Sequence, residues 1–159
     1  MEIYPDHIPS EIQSLESFMF WKNIRKGDGK MTKSPVSSTG FRIAHNNTDE
    51  LMPFESAKER LSETSGLGLG ISLLEGVKVN VETHTGYLWC LDFDGFAEPN
   101  SDKVDDGVTE FIDAFPSYIE ISPSGTGFKY FFVCDRPPES KSKIKFGPSD
   151  FADEYPNVT

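Results

Sequence analysis

A chain of 159 residues, 36% of them hydrophobic and 13% aromatic, is long enough for one folded domain and too rich in apolar side chains to stay disordered. Its 15 basic and 26 acidic residues give a formal net charge of −11, which opposes long-range attraction to nucleic acid. No apolar run reaches the roughly 18 residues of a membrane span, and Met1-Glu2-Ile3-Tyr4-Pro5-Asp6 lacks the basic-then-apolar order of a secretory signal, so a cytoplasmic protein with no membrane partner is expected.

Ser10, with Gln13 three residues on and Ile12 and Leu15 at helical spacing, predicts a short capped helix. Phe18-Met19-Phe20-Trp21-Lys22 predicts a strand, Gly27-Asp28-Gly29 a turn, and Met31–Val36 a returning strand interrupted by Pro35. Pro53 suits the first turn of a helix through Ser62, with Phe54, Ala57 and Leu61 on one stripe. Leu67-Gly68-Leu69-Gly70-Ile71-Ser72-Leu73 and the most apolar run, Tyr87-Leu88-Trp89-Cys90-Leu91-Asp92-Phe93-Asp94, predict two strands that neighbour each other in one sheet, with a polar hairpin region between. Ser101 then caps a helix whose Val104, Val108, Phe111, Ile112 and Phe115 form the buried stripe; Pro116 closes it and its acids face water. Strands over 118–122 and Phe128–Cys134 follow, joined by the tight Pro123-Ser124-Gly125-Thr126-Gly127 loop, and beyond Asp135 no element is predicted. Cys90 and Cys134 lie in apolar runs and are read as two buried thiols rather than a disulfide. Together with His7, His45 and His84 they do not offer the close four-ligand spacing of structural zinc.

Charge is segregated within the negative average. Residues 22–42 carry Lys22, Arg25, Lys26, Lys30, Lys33 and Arg42 against Asp28, a local +5, whereas residues 91–120 carry a local −8 and residues 121–148 turn positive again. A solvated acidic helix between ordinary surfaces accounts for this order, and so does a metal site flanked by phosphate-binding surfaces. Asp92 and Asp94 lie two apart at a strand end, which points both carboxylates to one face with α-carbons about 6.5–7 Å apart. Two bare carboxylates about 5 Å apart, at an effective dielectric near 20, repel by roughly 3 kcal/mol. Mg2+ or Mn2+ reverses that sign; the plain alternative is a strand that simply ends in an Asp-Gly turn. The loop Ser122-Pro123-Ser124-Gly125-Thr126-Gly127 offers three hydroxyls and two glycines that let N–H groups approach an anion, although generic hairpin loops share this composition. Gly29-Lys30 is not a Walker loop, because Ile24 and Met31 stand where Gly and Ser or Thr are required.

The blocks gain specificity from their order: Phe18-Met19-Phe20-Trp21, Thr32-Lys33-Ser34-Pro35, Phe54 to Ala57, Gly66-Leu67-Gly68-Leu69-Gly70-Ile71, Leu91-Asp92-Phe93-Asp94 and Tyr118-Ile119-Glu120-Ile121-Ser122-Pro123-Ser124-Gly125-Thr126-Gly127-Phe128-Lys129. In order and spacing they resemble the primase-polymerase branch of the archaeo-eukaryotic primase superfamily, found in phage and plasmid replication proteins. The resemblance implies an α+β fold over residues 1–159, a single primase-polymerase core with a mixed, largely antiparallel, RRM-like central sheet flanked by helices. It implies that Asp92 and Asp94 are catalytic and hold Mg2+ or Mn2+, and that Ser122, Ser124, Gly125, Thr126, Gly127 and Lys129 contact the triphosphate of an incoming dNTP or NTP. Lys129 stands where the family usually has His, and its ammonium meets a phosphate oxygen as a point charge. Lys22, Lys30 and Lys33 are expected as contacts to the backbone of a single-stranded or primed DNA template, whereas Trp21 and Trp89 are expected as core aromatics. The implied reaction is template-directed nucleotidyl transfer, with a helicase domain as a partner after this one.

The family's third acidic motif has no counterpart here, since Asp153 and Glu154 read as surface acids, and the domain is therefore expected to stop short of it. Two alternatives follow. One is a catalytically incomplete primase-fold module that binds nucleotide or nucleic acid. The other starts from Leu91-Asp92-Phe93-Asp94-Gly95, which also resembles the first motif of haloacid-dehalogenase-type phosphatases, except that Phe96 stands where Thr is usual.

Overall fold

Phe18 and Phe20, two apart and buried to 0% and 1% exposure, fix one face of the first strand and the centre of the core. The computed structural model describes residues 4–74, 76–95, 106–123 and 125–137. Strand β1 (Phe18–Arg25) is flanked by β2 (Met31–Val36) and β3 (Gly68–Ile71) in a three-stranded sheet of order β2-β1-β3. A second sheet, of order β4-β5-β7-β6, is built from β4 (Lys78–Val81), β5 (His84–Phe93), β6 (Ile119–Ile121) and β7 (Phe128–Cys134). Helices α1 (Ser10–Gln13), α2 (Phe54–Glu63) and α3 (Asp106–Ala114) accompany them, so the class is α+β with largely antiparallel sheets, as expected. None of the helices among the described residues is long and apolar enough to cross a membrane.

The first hairpin closes as its sequence dictates. Gly29 adopts φ +83, Lys26 N–H donates to Lys30 O at 2.8 Å, and Lys30 N–H donates to Asp28 Oδ1 at 3.0 Å. Pro35 is tolerated because β2 is the edge of its sheet.

β3 departs from expectation. It pairs with β1 rather than with the strand that carries Asp92, in a register of Phe18↔Ile71 and Trp21↔Gly68. The cause is a gap made by glycine: a Cβ at Gly68 would lie 2.1 Å from the Trp21 ring, and the indole donates to Leu69 O at 2.9 Å. Trp21 is thus only half-buried, lying over the glycines of β3 rather than inside the core. β5 pairs instead with β4 and β7.

β5 and β6 are each antiparallel to β7, hence parallel to one another, with α3 in the connection between them. This is a split βαβ unit, the piece from which an RRM-like sheet is made. Every strand pairing in the sheet among the described residues is nonetheless antiparallel. Alternation divides the sheet into two faces. Leu91, Phe93, Phe128, Tyr130 and Phe132 pack with Val108, Phe111 and Ile112 of α3. Leu88, Cys90, Phe131 and Val133 face the main core, where they meet Phe18, Phe20, Val36, Phe54 and Ala57. Asp92 and Lys129 continue this second face to its end.

The remaining differences are local. Pro9, extended at φ −55 and ψ 143, is the N-cap of α1; Ser10 is already helical and its hydroxyl donates to Glu11 rather than capping. Pro53 likewise caps α2 from an extended conformation instead of sitting in its first turn. Phe115 lies past the end of α3 and is 49% exposed, while the acids Asp106, Glu110 and Asp113 face water as expected. Cys90 and Cys134 are both free thiols but only partly buried. The predicted cap at Ser101, the stripe residue Val104 and the stretch from residue 138 onward lie outside the described residues.

Candidate functional site

The long apolar run of β5 stops at Phe93, which leaves Asp92 as the last side chain on the face of Leu88 and Cys90, beyond the core, and Asp94 just past the strand end. Opposite Asp92 in β7 is Lys129, whose Nζ lies 2.7 Å from Asp92 Oδ1, with both side chains about one-third exposed. On the far side of Lys129, in β6, is Glu120. The register therefore lays carboxylate, ammonium and carboxylate in one row across three strands. Glu120 accepts a hydrogen bond from Tyr118 OH at 3.1 Å. Burial pushes the Glu120 carboxyl above the ordinary carboxylate range, against the opposing pull of the Tyr118 hydrogen bond and the Lys129 charge.

The Ser-Gly bend is seated on the end of β5. Ser122 N–H donates to Gly127 O at 2.8 Å, Gly125 N–H to Ser122 O at 2.8 Å, and Gly127 N–H to Ser122 Oγ at 3.2 Å. Gly125 takes φ +70, where a side chain would be strained. Gly127 is required for a different reason: a Cβ there would lie 2.2 Å from Phe93 O and 3.3 Å from Asp94 Cα. The backbone of the bend thus touches the backbone of the aspartate motif at Gly127, and hydrogen bonds tie Ser122 and Gly125 into the same bend. Ser124 lies outside the described residues.

The three lysines expected to contact a template do not share one surface. Lys33 projects from β2 beside the Trp21 ring, 5.1 Å from its centre, within electrostatic range of Asp92, Asp94 and Lys129. Desolvation, and secondarily the repulsion from Lys129, lower the Lys33 pKa, while Asp92 and Asp94 oppose that shift. Lys22 is directed toward the loop at Gly40, where a Cβ would lie 3.4 Å from its Nζ, and Lys30 is exposed in the first hairpin turn.

Asp92 and Asp94 offer hard oxygen donors. Mg2+ takes one or two protein carboxylates and completes its shell with water and substrate phosphate, so these residues fit Mg2+ or Mn2+ presented with a triphosphate. Among the described residues no group of three or more His, Cys, Asp or Glu is placed to hold a metal ion by itself. Cys90, two residues before Asp92, is no thiolate ligand, because burial raises its pKa to about 12.

Sequence reasoning had Glu120 within a motif but gave it no role. The signal for Glu120 was present, since a tight bend over residues 122–127 pairs position 120 with 129. No protein-family model matches this chain, and no curated protein matches it.

Proposed function

We propose that this protein binds a metal–nucleoside triphosphate at the Asp92/Asp94 strand end and transfers the nucleotide to a primer, as the resemblance to primase-polymerases implies. The observation that carries the proposal is the close approach of the Gly127 backbone to Phe93 O and Asp94 Cα, which seats the Ser-Gly bend on the strand end that bears Asp92 and Asp94. The 3′-hydroxyl of a primer attacks the α-phosphate, a new P–O bond forms, the bond to the β-phosphate breaks and pyrophosphate leaves. A divalent cation bound by Asp92 and Asp94 supplies positive charge to the reacting phosphate. Lys129 at the strand end, with Lys33 within electrostatic range of it, neutralises triphosphate charge, and the hydroxyl groups of Ser122 and Thr126 donate to its oxygens. Lys33 is accordingly assigned to the nucleotide, leaving Lys22 and Lys30 as candidates for the template backbone.

Two carboxylates suffice to hold a metal–triphosphate, and on that ground a nucleotide-binding module without turnover is the second reading. Incorporation of labelled dNTP on a primed template in Mn2+ or Mg2+ decides between them. Metal-dependent incorporation that disappears in the Asp92→Ala, Asp94→Ala double variant supports transfer. Thermal stabilisation by Mn2+ plus dNTP without incorporation supports the module. Incorporation that survives the double variant, or no nucleotide-dependent stabilisation at all, rejects both.

A further inference from the structure

Lys129 stands between two carboxylates on neighbouring strands and closes on one of them. The register runs Asp92, Lys129, Glu120 across β5, β7 and β6, which places each acid about 4.8 Å, one strand spacing, to either side of the same lysine. Nζ is engaged with Asp92 Oδ1 at 2.7 Å. Glu120 has Oε1 engaged by Tyr118 at 3.1 Å and senses the Lys129 charge from across the row. A carboxylate has a second oxygen to give, and an ammonium on a flexible four-carbon stem can turn from one neighbour to the other. Asp92 is the residue that must release Lys129 if it is to meet a cation.

We propose that Glu120 is a positioning residue for the metal site: it receives Lys129 when Asp92 turns to a divalent cation, and so sets how readily that site opens. This rests on the metal–nucleotide reading above. Glu120 touches neither cation nor nucleotide and acts through Lys129. Its carboxylate is half-buried, where an ion pair is screened less than at the open surface, and Tyr118 holds its orientation.

The test is titration of the full chain with MnCl2 alone, without nucleotide, for the parent, Glu120→Gln, Lys129→Met and the double variant, with unfolding temperatures recorded for each. Glu120→Gln keeps an acceptor for Tyr118 but no charge for Lys129. It should weaken Mn2+ binding roughly two- to fivefold, the scale of a partly exposed ion pair. Lys129→Met should tighten Mn2+ binding, and in that background Glu120→Gln should have no further effect. Parental Mn2+ affinity in Glu120→Gln, whatever its unfolding temperature, overturns the proposal. So does a loss that persists undiminished without Lys129, which marks a simple effect of removing charge. Absence of Mn2+ binding from the parent and from Lys129→Met alike removes the metal site itself and this proposal with it.

Discussion

Gly127→Ala places one methyl group between the bend and the aspartate strand. Its Cβ would meet Phe93 O at 2.2 Å, so the two segments must separate by roughly 1.2 Å to reach the 3.4 Å at which ordinary contact begins. Both segments are backbone, and no flexible side chain can yield instead. Overpacking of this kind costs about 1–3 kcal/mol, equivalent in a chain of this size to about 3–9 °C of melting temperature. The functional loss should be larger than the stability loss, because a displacement of about 1 Å in a binding constellation can cost about 100-fold. Gly125→Ala is the matched control: its φ of +70 strains a side chain, yet nothing lies within 4 Å of the added Cβ. It should cost about 1–2 kcal/mol without lifting the bend from β5. The assay is thermal unfolding of each variant with and without Mn2+ and dNTP. Gly127→Ala should lose most of the nucleotide-dependent increase, and Gly125→Ala should keep it. Parental melting and a full nucleotide shift in Gly127→Ala would falsify the claim that close backbone contact builds the site.

Gly68→Ala should displace the Trp21 indole, which lies 2.1 Å from the added Cβ, and break its hydrogen bond to Leu69 O. In a Trp89→Phe background this predicts a red-shifted Trp21 emission and a loss of about 1–3 kcal/mol; unchanged emission refutes the packing argument. Burial raises the Cys90 thiol from 9.0 to about 12, which at pH 8 lowers its thiolate fraction about 1,000-fold. In a Cys134→Ser variant, modification by a thiol reagent should therefore be slower by that order in native protein than in urea, and equal rates would contradict it. Glu120 also titrates. Its carboxyl is raised above 4.5 by burial, against the opposing influence of the facing Tyr118 and Lys129, so the native state favours the protonated form. That contribution to stability is complete below pH 4.5 and is lost as pH rises through the raised value. Glu120→Gln should accordingly match the parent at pH 4 and melt higher at pH 7; a variant less stable at pH 7 than the parent reverses the sign of the argument.

Most elements were legible because their causes are local. The alternation around Phe18 and Phe20, the stripe of Phe54, Ala57 and Leu61, and the glycine turn before Met31 act over a few residues. The failures have a common source. Whether Ser10 or Pro9 caps α1 depends on backbone angles that Pro9 fixes in an extended form, and Phe115 leaves the helical stripe because α3 ends at Ala114. Pairing of β3 depended on Trp21, 47 positions before Gly68, in a chain where β1 and the apolar β5 both offered a plausible neighbour.

The candidate site divides along the same line. The amino-acid order determined that Asp92 and Asp94 end an apolar strand, that a Ser-Gly bend precedes Lys129, and that the bend pairs Glu120 with Lys129, since a short hairpin fixes its own register. Only the tertiary structure decided that β7 lies against β5, which joins Lys129 to Asp92 across a separation of 37 positions. It also decided that Lys33, on the other sheet, lies within electrostatic range of both aspartates. Long-range strand pairing is settled by which faces bury together, and that selection belongs to the core as a whole rather than to any one segment.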